Sequence, residues 1–105
     1  MIVTTGNEIA GKSIKSYLGI VRGIVVRSPT IGQGVMGGLK QIVGGNNETY
    51  AKICDTARQE AFDRMVQHAQ ALGAQGIIGM RYDATEFSEA VTEVLAYGTA
   101  VKLDS

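Results

Sequence analysis

"QGIIGMRYDATEF" (75–87) and "AVTEVLAYGTAVKL" (90–103) decide the fold. Both stretches are rich in the β-branched and aromatic residues that favour strands. Only Ser88 and Glu89 separate them. A parallel crossover needs a dozen or more residues, so this spacing permits only an antiparallel hairpin.

Upstream of the hairpin, residues 47–72 predict a long helix. Asn46 or Asn47 can act as the N-cap, and Glu48 stands in the first turn, where the helix dipole favours an anion. On a helical wheel Tyr50, Cys54, Ala57, Ala61, Met65, His68 and Leu72 share one face. Lys52, Gln59, Asp63 and Gln70 take the opposite face. Glu48–Lys52 and Glu60–Arg64 are i,i+4 pairs in the favourable order, and Gly73 is placed to stop the helix. Further back, "SYLGIVRGIVVRS" (16–28) is strand-like and is closed by Pro29, while "MIVTT" (1–5) is a short β-branched start ended by Gly6-Asn7. A short helix of about two turns fits the glycine-rich segment 30–45. The order β, β, short α, long α, β, β reads as one α+β domain over residues 1–105.

Ten basic and ten acidic side chains cancel. That balance offers no field to attract nucleic acid or an anionic membrane. A single cysteine, Cys54, makes no internal disulfide, which fits a reducing compartment. The first residues show no signal-peptide pattern, and no apolar run approaches the ~18 residues of a membrane span. A soluble cytoplasmic domain is expected.

Strand alternation sorts the sheet into two faces. The first holds Tyr17, Gly19, Val21, Gly23 and Val25 with Ile78, Met80, Tyr82, Ala84, Val94, Ala96, Gly98 and Ala100. It is rich in small residues and suits the alanine-bearing helix. The second holds Leu18, Ile20, Arg22, Ile24 and Val26 with Ile77, Gly79, Arg81, Asp83, Val91, Glu93, Leu95, Tyr97, Thr99 and Val101. One long helix covers one side of a sheet only, so the second, still apolar face calls for another copy of the chain or a partner, or is left as an exposed patch, and self-association is the favoured reading.

Gly32-x-Gly34-x-x-Gly37 matches a dinucleotide loop literally. That reading needs a βαβ unit with an acid at the end of its second strand. Here the next element is a helix, and Asp55, at a suitable spacing, lies inside it. No Gly-Lys-Ser/Thr follows, so a phosphate loop is also excluded. The glycines are read as turn and packing residues, and no cofactor is expected.

Cys54 and His68 lie fourteen positions apart on one helix, about 21 Å at 1.5 Å per residue. They cannot bind one ion within a subunit, and no paired-ligand motif accompanies them. The same separation excludes a Cys–His catalytic pair, and Ser13, Ser16 and Thr30 have no visible activating partner. The strand-borne Arg22, Arg81, Asp83, Glu93 and Tyr97 remain as a candidate polar site between subunits. An inter-subunit salt-bridge network is the favoured reading of these five, ahead of a ligand pocket. RNA stacking on Tyr17, Tyr82 and Tyr97 lacks the basic surface it would need.

"GLKQIVGG" (38–45), "ARQEAF" (57–62), "ALGAQGIIGM" (71–80) and "GTAVKL" (98–103) together resemble the bacterial YbjQ-like family. These are small uncharacterised proteins that sometimes carry a provisional heavy-metal-binding label. The resemblance implies a dodecin-like subunit, a curved antiparallel sheet around a long helix, closing into a homo-oligomeric ring, with a pentamer expected. It supplies no catalytic residues to carry over. The expected function is a binding or scaffold module, with small-molecule or heavy-metal-ion binding at subunit junctions as the alternative.

Overall fold

A computed structural model describes residues 1–27, 47–88 and 91–104. The expected short helix, the Gly32–Gly37 loop and the side chains of Asn47, Glu48 and Tyr50 lie outside the described residues. The elements are β1 (Ile2–Val3), β2 (Ser13–Arg27), α1 (Asn47–Ala71), β3 (Gly76–Ser88) and β4 (Val91–Asp104). The strands form a four-stranded sheet in the order β1-β3-β4-β2.

The expected hairpin is present, with β3 antiparallel to β4 from Gly76↔Val101 to Ser88↔Val91. β2 lies antiparallel on the other side of β4. The all-antiparallel expectation needs correction at one edge, because β1 pairs parallel with β3 through Ile2↔Gly76 and Val3↔Ile77. The sheet is therefore mixed. β2 and β3 also run parallel to each other with β4 between them, so β2, α1 and β3 make a split β-α-β unit.

α1 ends as its sequence predicts. Gly73 has φ +78°. Its N–H donates to the Gln70 carbonyl at 2.9 Å, and the Ala74 N–H donates to the Ala69 carbonyl at 3.0 Å. This is the Schellman pattern, in which a left-handed glycine satisfies the last helical carbonyls. The buried stripe of the helix is Ala57, Ala61, Met65 and Ala69, spaced by four. Phe62 and Val66 pack at its margin. The wheel placed Cys54, His68 and Leu72 on this stripe, and all three are exposed. Part of the predicted face turns away from the sheet, where Ala57, Ala61, Met65 and Ala69 make the contact. At that contact a Cβ on Gly23 would run into the Ala61 carbonyl oxygen and come within 2.5 Å of the Met65 nitrogen. Glycine on β2 and alanine on α1 let the two backbones meet.

The core under the helix joins Val21, Val25, Ile77, Met80, Ala96 and Ala100 to the helix stripe. A second cluster of Ile9, Ile78, Val101 and Leu103, with Ile14 against it, lies on the opposite face. Two assignments of side chains to faces are thus reversed. Ile77, not Ile78, faces the helix, and Leu18, not Tyr17, packs on the helix-side core.

The cause is a pair of β-bulges. Register slips by one residue between Tyr17 and Gly19 on β2 and between Ile78 and Arg81 on β3. Each extra residue resets the alternation of its strand. Gly19 (φ +115°) and Gly79 (φ +60°) supply the left-handed backbone at these points. The bulges flank the same stretch of β4, near Gly98 to Val101.

Candidate functional site

The N-terminal segment folds back along the outer edge of β3. Thr4 N–H donates to the Ile77 carbonyl at 2.9 Å, Met80 N–H to the Thr4 carbonyl at 3.0 Å, and Gly79 N–H to the Gly6 carbonyl at 2.7 Å. Ile9 then closes the second apolar cluster. The chain itself thereby covers one end of the face turned from the helix, which alternation alone had left wholly unclaimed.

Beyond the bulges no described residue covers that face, and it carries all five candidate polar residues. Register sets Arg22, Tyr97 and Arg81 side by side across β2, β4 and β3. The next rows are Ile24–Leu95–Asp83 and Val26–Glu93–Thr85. Opposed residues in such rows have Cβ atoms ~5 Å apart, so Arg22 and Arg81 each abut Tyr97. Asp83 follows Arg81 by two positions, and Glu93 precedes Tyr97 by four on the same face. Arg22, Arg81 and Asp83 are exposed, while Glu93 and Tyr97 are half-buried. Apolar neighbours interleave with them. Ile20 is 74% exposed and Tyr17 is 69% exposed, both at β-sheet positions.

The five are not equivalent. Arg81 Nη1 donates to the Thr5 and Met80 carbonyls, each at 2.8 Å. It clasps the N-terminal segment to the β3 bulge, a structural task invisible in the sequence because Thr5 lies 76 positions away. Asp83 accepts the Ala84 N–H at 2.9 Å. Arg22 is held through its backbone, its N–H donating to His68 Nδ1 at 3.2 Å. Arg64 Nη1 donates to the Ile24 carbonyl at 2.5 Å. Two helix side chains thus satisfy backbone groups on the outer edge of β2. Sequence reasoning missed Arg64 and placed His68 on the apolar face; their spacing of four along the flank of the helix was the available signal.

The possible metal donors are scattered. Cys54 is a free, exposed thiol. Among the described residues no three His, Cys, Asp or Glu side chains come together. Nor, among them, is any helix long and apolar enough to cross a membrane.

Comparison with known proteins places these features in a family. A family model described as "Putative heavy-metal-binding" matches residues 1–104. A UPF0145 protein of Legionella pneumophila (strain Corby) is 66% identical, covering 96% of this chain and 96% of its own. A UPF0145 protein of Chromobacterium violaceum is 52% identical over 98% of this chain and 88% of its own. In fold, the chain is similar to a protein of unknown function from the DUF74 family of Pediococcus pentosaceus, with a TM-score of 0.60 at 23% identity. That match covers 99% of this chain and 98% of the other. Matched from end to end by the family model and by close relatives, the chain belongs to the YbjQ family, whose relatives here bear the name UPF0145.

Proposed function

We propose that the protein works as a homo-oligomeric ring, a pentamer, serving in the cytoplasm as a binding or scaffold module whose working surface lies at the subunit junctions. The observation that carries this reading is a face of β2, β4 and β3 that no described residue covers, where Ile20, Ile24, Val26 and Leu95 alternate with Arg22, Tyr97, Arg81, Asp83 and Glu93. A monomer gains nothing by holding such isoleucines and valines in water, and contiguous apolar surface of this kind marks an interaction site. The two arginines and two carboxylates balance in charge, which suits a surface that meets a second copy of itself better than a charged ligand. In this reading Arg22, Arg81, Asp83 and Glu93 form salt bridges between subunits, and Tyr97 lies among them as a hydrogen-bonding neighbour. A second reading, a small molecule or heavy-metal ion held at the junctions, draws its support from the description of the family model.

Light scattering on the purified chain tests the proposal. The expected mass is about five times the 11.1 kDa subunit. Ile20→Asp should reduce it to a single subunit with an unchanged helical circular dichroism spectrum, since the exposed side chain supports no contact within the subunit core. A wild type that runs as a folded monomer at micromolar concentration overturns the reading.

A further inference from the structure

We infer that one subunit of this protein builds no heavy-metal centre, so that the property named in the family description is not one its own fold supplies. The argument is an inventory of donors. Zinc and cadmium need three or four converging ligands and copper(I) two or three, drawn from thiolate, imidazole and thioether with carboxylate oxygen as an added ligand for zinc. Among the described residues no three His, Cys, Asp or Glu side chains come together. The chain has one cysteine, one histidine and four methionines.

Cys54 and His68 are both on α1, fourteen positions apart, which on a straight helix is about 21 Å. No side chain one turn from Cys54 can join it as a soft ligand, for those positions hold Tyr50, Ala51, Ala57 and Arg58. One turn from His68 stand Arg64, Met65, Ala71 and Leu72. Met65 is turned into the core, together with Met80 on β3. His68 has already committed Nδ1 to the Arg22 N–H. The segment 28–46, outside the described residues, contributes no Cys, His, Asp or Glu by sequence, and only Met36 among the softer donors. What the hairpin offers instead is carboxylate oxygen, at Asp83 and Glu93 among others, and such donors suit hard cations.

The test is a titration of the apo wild type with zinc(II), cadmium(II) and, under anaerobic reduction, copper(I). Bound metal is read by equilibrium dialysis and by the cadmium–thiolate charge-transfer band. Stoichiometry alone does not decide, because a ring has as many junctions as subunits. The titration is therefore repeated on Ile20→Asp, with Tyr17→Asp in its place if that variant does not fold, and on Cys54→Ser. Each sample is sized by light scattering, which also reports independently on the ring. The expected result is no retention against a competing chelator by any single-subunit sample, and no charge-transfer band there. Metal held by the wild-type assembly but lost from the single subunit also supports the inference, since the donors then come from two copies. One ion per subunit, retained in a single-subunit sample and lost in Cys54→Ser, overturns it.

Discussion

Gly23 and Gly19 lie four residues apart on β2 and do different work. A Cβ at Gly23 meets helix backbone at Ala61 and Met65, which cannot yield without moving α1. At Gly19 the space is open, but φ is +115°, a conformation that side-chain-bearing residues rarely adopt. Gly23→Ala should therefore destabilise the protein by about 2–3 kcal/mol through overpacking. Gly19→Ala should cost about 1 kcal/mol through backbone strain. Urea denaturation of the two variants checks both values, and equal effects would refute the distinction. Neither role can be read from the sequence, where both are simply glycines in a β-branched run. The turn at Gly73 was legible, because a helix stop depends on a few neighbouring residues only.

Between α1 and β2 the contact is more than apolar. An edge strand exposes unpaired backbone groups and invites further strands. His68 and Arg64 engage two of these groups on β2, the Arg22 N–H and the Ile24 carbonyl. His68→Ala should leave the fold intact, with a loss below about 1 kcal/mol for one exposed hydrogen bond. It should also release the Arg22 amide to solvent. Amide hydrogen exchange should then speed up at Arg22 and stay slow at Val21, whose side chain is buried beneath the helix. Unchanged exchange at Arg22 would show that the histidine does not protect that edge. On the other edge, Arg81 and the Thr4 and Gly6 carbonyls hold the N-terminal segment over the β3 bulge. Arg81→Ala should loosen that segment, seen as faster exchange at Gly79 and Met80, without disturbing the hairpin register beyond Tyr82.

At the scale of the whole molecule the described residues hold two apolar clusters, one on each side of the sheet, and they fail differently. Ile77 is fully buried under the helix, and Ile77→Ala should cost about 2–5 kcal/mol. Ile9 closes the smaller cluster from the N-terminal segment, and it is 8% exposed. Ile9→Ala should cost about 2 kcal/mol and make residues 4–12 the first site of proteolysis, with α1 and the β3–β4 hairpin still protected. Simultaneous melting of both regions would show that the two clusters form one cooperative core. By itself the sequence determined the α+β class, the long helix with its glycine stop, and the hairpin. These follow from spacing, propensity and composition, which act over a few residues or over none. Only the tertiary structure decided which side chains face the helix, because one extra residue at each bulge reverses a strand's alternation and no local signal announces it. The parallel β1 edge, the Arg81 clasp on Thr5 and the row of Arg22, Tyr97 and Arg81 are likewise tertiary, since each joins positions far apart in the chain through strand order and register.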